Sequence, residues 1–163
     1  MFGWITRELA VRKAERLARM GRLEEALLAI DAVIARRPED VKLLTHKAWF
    51  LSDLHRHDEA LTEIGKGLEL SPKRAVLHML QGEVLYRKGD YDQAKASLLK
   101  ALEHSGENIR VEYLLGLVHI ALNDVERASQ YFESSVRYDK LLVRSRLLAM
   151  AEYYLFRQQS KGG

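Results

Sequence analysis

The sequence predicts an all-α fold, a solenoid of about four helical hairpins followed by a capping helix, and three observations predict it. The first is a period: Ala26, Ala60, Ala94 and Ala128 stand 34 residues apart, each in the same local setting. Internal repeats of roughly 20–50 residues signal stacked units, because one unit cannot bury its own apolar face and must lean on a neighbour. The second is amphipathicity, since each unit holds two stretches of roughly 14 residues with helical apolar spacing. The third is punctuation, with small residues and helix breakers recurring at fixed places.

The units run 7–40, 41–74, 75–108 and 109–142. Twelve residues before each repeated alanine stands Ala14, Ala48, Gly82 or Gly116, and four after it stands Ile30, Ile64, Leu98 or Phe132. Twelve after it come Pro38, Pro72, Gly106 and Lys140. In the third unit Val76, Met79, Leu80, Val84 and Leu85 recur at helical spacing, and after Gly89-Asp90 follow Tyr91, Ala94, Leu98 and Leu102. Gly21 and Gly89 suit the C-caps of first helices, where a positive φ is cheapest for glycine. Asp90 with Gln93 three residues later reads as a helix start, and Pro38 and Pro72 stop second helices. The small residues at both crossing points let two backbones approach closely.

These residues resemble the tetratricopeptide repeat (TPR), a helix-turn-helix unit with small residues at two crossing points, a large apolar residue four after the second, and a terminal proline. The third unit resembles it best, with Gly82, Gly89, Tyr91, Ala94 and Ala101. The fourth carries Leu115-Gly116, Ala128 and Phe132, and the first keeps Gly21, Ala26 and Pro38. The second departs most, with His55 and His57 where Gly and Tyr are usual. The resemblance implies a right-handed superhelix whose first helices line a concave groove.

Carried over residue by residue, the resemblance places a partner-binding surface on those first helices. The second unit supplies Thr45, His46, Trp49 and Asp53, and the third Met79, Leu80, Glu83, Tyr86 and Arg87. The fourth supplies Arg110, Tyr113, Leu114, Leu117, Ile120 and Ala121, and the first Arg12, Glu15 and Arg19. A capping helix over 143–157 continues the row with Arg144, Leu147, Leu148 and Tyr154. The row begins charged and ends apolar and aromatic, and a contiguous exposed apolar patch marks an interface. The alternative is that these apolar residues are core, because the capping helix packs across them or the superhelix closes on itself. The candidate anchors are Trp49, Met79, Leu80, Tyr86, Tyr113, Leu114, Leu117 and Tyr154, with Arg87 and Arg110 orienting a bound chain. The chaperone-binding TPR subclass clamps a C-terminal carboxylate with Lys, Arg and Asn, whereas here the corresponding positions hold Val11, Glu15, His46, Val76 and Leu80.

Composition bounds the rest. With 163 residues, 47% hydrophobic, two prolines and no cysteine, the chain is long enough to bury a core and offers no disulfide or thiol chemistry. The net charge of +3 is spread along every helix without a dense Lys/Arg run, which reads as a solvated surface rather than a nucleic-acid footprint. No apolar run approaches the roughly 20 residues of a membrane span, and Met1 to Ile5 lacks the features of a signal peptide, so a cytoplasmic protein is expected. No phosphate loop, HExxH pair or nucleophile elbow appears, so neither enzymatic activity, a cofactor nor a metal is expected. His55, His57 and Asp58, with Asp53 nearby, read as a solvated turn, because no second ligand pair stands at zinc-site spacing. His78 and His119 read as packed, half-polar residues.

At the ends, residues 1–6 form an apolar segment that either folds back over the first helix or anchors a partner, and 158–163 form a flexible tail. The function expected is a non-enzymatic adaptor or scaffold, a subunit of a larger complex that takes a partner's peptide or helix in the groove. The alternatives are a secretion-type chaperone for an export substrate and a protein that self-assembles through its ends.

Overall fold

The computed structural model describes residues 3–136, with the side chains of Gly3 to Thr6 and of Val136 left aside. Among the described residues eight helices follow one another: α1 (Gly3–Arg19), α2 (Leu23–Ile34), α3 (Val41–Asp53), α4 (His57–Leu70), α5 (Ala75–Lys88), α6 (Tyr91–Ser105), α7 (Ile109–Ala121) and α8 (Val125–Val136). No strand occurs among the described residues. The fold is all-α, a succession of helical hairpins. The expected capping helix at 143–157, with Tyr154, and the expected tail at 158–163 lie outside the described residues. One expectation is corrected: Trp4 and Ile5 do not precede the first helix but belong to it, since α1 already starts at Gly3.

Local chemistry sets the helix limits. Asp40 accepts from the backbone N–H of Lys42 at 3.1 Å and opens α3. Asn108 does the same for α7, accepting from Arg110 N at 3.1 Å and Val111 N at 3.2 Å. Both satisfy donors that a helix start otherwise leaves orphaned. Within each hairpin the chain turns through one left-handed residue. Gly21 (φ 75°) and Gly89 (φ 93°) fill that place in the first and third hairpins, and His55 (φ 60°) and Asn123 (φ 63°) fill it in the second and fourth.

The chain divides into two compact units, Met1–His104 and Ser105–Gly163. In the first, α1 packs on α2, α2 on α3, α3 on α4 and α4 on α5, and the first helices also meet one another, α1 with α3 and α3 with α5. Ala14, Ala26, Ile30, Ala48, Ala60 and Ile64 have no accessible surface and join Leu43, Leu51, Leu80 and Val84 in one core. A methyl group on Gly82 would stand 2.8 Å from Leu98 Cδ2 and 3.1 Å from the carbonyl oxygen of Ala94, so α5 and α6 cross with their backbones nearly touching. In the second unit α7 packs on α8, and a methyl group on Gly116 would fall onto the Phe132 ring. The crossing residues are small because nothing larger fits.

Candidate partner-binding face

The first helices of the first unit share a strip at helical spacing i, i+4, i+7, i+11. On α1 it holds Glu8, Arg12, Glu15 and Arg19; on α3 Lys42, His46, Trp49 and Asp53; on α5 Val76, Leu80, Glu83 and Arg87. Side chains link these strips into one face. Lys42 Nζ donates to Glu8 Oε2 at 3.0 Å, and His46 Nε2 stands 3.9 Å from Glu15 Oε1. Arg87 donates to Asp53 Oδ1 at 3.0 Å, Glu83 Oε1 at 2.9 Å and Ser52 Oγ at 3.2 Å.

In the middle of this face Trp49 is half-buried, packed on the core beneath it. The His46 ring meets it edge-on, with centroids 5.6 Å apart. Burial pushes the His46 pKa down, while the Glu15 carboxylate pulls the other way. The Lys42 hydrogen bond and charge hold the Glu8 carboxyl below the usual range. Tyr86 is half-buried, its ring 5.8 Å from that of Tyr91. Aromatic side chains held this way, with one face on a core and the rest in water, are the commonest protein-binding anchors.

The expected anchors divide by exposure. Trp49 and Tyr86 keep accessible surface, and Arg87 is exposed but held by its acceptors. Met79 is 7% exposed. Leu80 is removed from the set, because it has no accessible surface and belongs to the core. In the second unit, Arg110 is exposed in the first turn of α7, while Tyr113 and Leu117 are half-buried and Leu114 is 7% exposed. The Tyr113 ring leans on Phe132 of α8, with centroids 5.8 Å apart.

Several contacts were not foreseen. Lys47 Nζ lies 2.9 Å from Asp31 of α2 and 3.5 Å from the buried Glu63 of α4, which Lys66 also reaches at 3.0 Å. Burial works against the Lys47 charge, but its bonds to Asp31 and Glu63 outweigh this and raise its pKa. The sequence signal for this network was present: Asp31 and Lys47 are opposite charges on helices that must stack. The histidines separate into two kinds. His78 Nε2 sits 2.7 Å from the Pro72 carbonyl oxygen, and His119 Nδ1 sits 3.2 Å from Asp124 with its ring stacked on Tyr131. His55 and His57 face each other across the α3–α4 turn at 5.8 Å. Among the described residues no three His, Asp or Glu side chains converge as a metal site would require, and no helix is long and apolar enough to cross a membrane.

Comparison with known proteins places this geometry. Two family models, each described as a tetratricopeptide repeat, match residues 11–75 and 85–142, together most of the chain. The chain is 31% identical over 111 residues to the tetratricopeptide repeat and J domain-containing co-chaperone DNJ1 of Fusarium oxysporum, covering 67% of this chain and 21% of that protein. It is 28% identical over 86 residues to the BBSome complex member BBS4 of Bos taurus, covering 53% of this chain and 16% of that one. The matches thus span about a fifth of these relatives or less. Among solved structures, PilF of Pseudomonas aeruginosa superposes with a TM-score of 0.80 at 22% identity, over 100% of this chain and 79% of that one. MamA residues 41 to the end from Desulfovibrio magneticus RS-1 gives 0.71 at 24% identity, over 83% and 76%. At these identities the structures share the fold. Repeat proteins of this kind are typically interaction modules rather than enzymes. The chain belongs to the tetratricopeptide-repeat family and is, in general terms, a protein–protein interaction module.

Proposed function

We propose that this protein is a non-enzymatic adaptor that binds a peptide or helix of a partner protein on the face of its first helices, as a subunit of a larger assembly. In the first unit Trp49 and Tyr86 are the apolar anchors, and α7 offers Leu117 and Tyr113 on the second. The observation that carries the reading is the setting of Trp49. A large aromatic side chain stands half-exposed on a rigid core with the His46 ring against it, so little freedom is lost when a partner covers it. The ion pairs of Arg87 with Asp53 and of Lys42 with Glu8 leave those four charges mutually compensated, so covering them strands none of the four. Metal or cofactor chemistry has no part in this reading, nor does nucleic acid.

Site-specific photo-crosslinking tests it. A benzophenone side chain at Glu15, on this face, should trap a partner protein, and one at the exposed Thr62 of α4 should not. Trapping from Thr62 with none from Glu15 would overturn the proposal.

A further inference from the structure

The internal repeat supplies a comparison for the α1 edge, which is exposed among the described residues. A second strip on α3 and α5 faces the preceding hairpin: Leu43, Lys47 and Phe50 on α3 with Leu54 just past its end, and Leu77, Gln81, Val84 and Lys88 on α5. Leu77 lies against Gly67 of α4, whose missing side chain makes room for it: a methyl there would stand 2.9 Å from Leu77 Cδ1. Lys47 pairs with Asp31 of α2 at 2.9 Å. Leu43 and Leu77 have no accessible surface as a result of this setting.

On α1 the same four places are Leu9, Lys13, Arg16 and Met20, 34 residues before those of α3. Here Leu9 is 60% exposed and Met20 62%, with Lys13 and Arg16 exposed between them. The strip is therefore apolar at both ends and doubly basic in the middle. Its place in the repeat makes it continuous with the interfaces already formed by α2 on α3 and α4 on α5.

We propose that the α1 edge docks an acidic amphipathic helix of a partner protein, stacked as α2 stacks on α3. The recognition chemistry follows from the repeat. A carboxylate meets Lys13 as Asp31 meets Lys47, and apolar side chains cover Leu9 as the preceding hairpin covers Leu43. This edge is distinct from the face that carries Trp49, so the two assignments stand or fall separately.

The probe is a fluorescein-labelled peptide with the sequence of residues 23–34, stapled across its Glu24 and Leu28 positions, titrated by anisotropy against the full chain. Expected is saturable one-to-one binding, weakened at least about tenfold, or about 1.4 kcal/mol, by Leu9→Asp. Lys13→Glu should weaken it likewise, and the Asp31→Lys peptide should restore binding to that variant. Leu9 is exposed, so its replacement leaves the fold intact, and a melting curve verifies this. Binding that is absent, or equal on wild type and Leu9→Asp, overturns the proposal, the latter because the peptide would then be displacing its own counterpart within the chain. Sedimentation velocity supplies the other arm. A wild-type dimer that Leu9→Asp dissolves would make the occupant a second copy and overturn the partner assignment.

Discussion

Arg87 and Asp53 hold the same place in successive hairpins, 34 residues apart, and their side chains meet at 3.0 Å. Glu8 and Lys42 repeat the relationship one hairpin earlier, at 3.0 Å. The period of the sequence therefore becomes a ladder of ion pairs running from one first helix to the next. Exposed pairs of this kind contribute little each, about 0.2–1 kcal/mol, and are screened by salt. Arg87→Met should lower stability by no more than about 1 kcal/mol at low salt. A double-mutant cycle with Asp53→Asn, measured by urea unfolding at low and high salt, checks the coupling, which should shrink as salt is added.

Two of the helical glycines, Gly65 and Gly82, should answer the same substitution with opposite signs. A methyl on Gly65 meets nothing within 4 Å, so Gly65→Ala should stabilise by roughly 0.5–1 kcal/mol through helix propensity alone. A methyl on Gly82 presses on Leu98 and on the Ala94 backbone, so Gly82→Ala should destabilise, by roughly 1–2 kcal/mol after the propensity gain is counted. Denaturant midpoints of the two variants decide it.

The turn residue His55 sits at φ 60° where the first and third hairpins use glycine. A non-glycine residue there costs free energy that glycine does not. His55→Gly should raise stability by roughly 0.5–1 kcal/mol, and Asn123→Gly by less, because asparagine tolerates this region better. Thermal melts of both variants provide the comparison.

His46 links pH to the candidate site. Burial lowers its folded-state pKa, so the unfolded chain binds the proton more readily. Its contribution to stability is then complete above the unfolded value of about 6.5 and is lost as pH falls through the lower folded value. Burial lowers the His57 pKa too, so the same window applies to it. The depressed carboxyl pKa values of Glu8 and Asp58 act in a separate, more acidic window. Fluorescence of Trp49 in a Trp4→Phe background should titrate with a midpoint below about 6.5, and His46→Gln should abolish the step.

Much of this was legible in the sequence because the repeat imposes the same packing on the same places. Ala26, Ala60, Ala94 and Ala128 are all buried, as are the larger residues four places on, Ile30, Ile64, Leu98 and Phe132. Single residues were harder to place. Leu80 stands one helical turn after Val76 on the binding strip, yet it is part of the core, and the equivalent His46 of α3 is buried too, whereas Arg12 at that place on α1 is exposed. Trp4 and Ile5 looked like a separate segment because they stand before the first repeat unit at Arg7, yet no cap residue or glycine divides them from α1 and the helix runs through them. The ion-pair ladder could have been read by setting the units under one another and asking which equivalent places carry opposite charge. The edge of α1 needed burial values, since Leu9 and Leu43 are the same residue in the same register and differ only in what covers them.

The most direct measurement of the central claim compares proteins captured from native lysate by the wild-type chain and by a folded Trp49→Ala variant. If the face of the first helices binds the partner, one protein present on wild type is lost from the variant, and its affinity, measured with purified protein, falls by about 2 kcal/mol or more. The same partner bound equally by both chains would contradict the account and move the interaction to another surface.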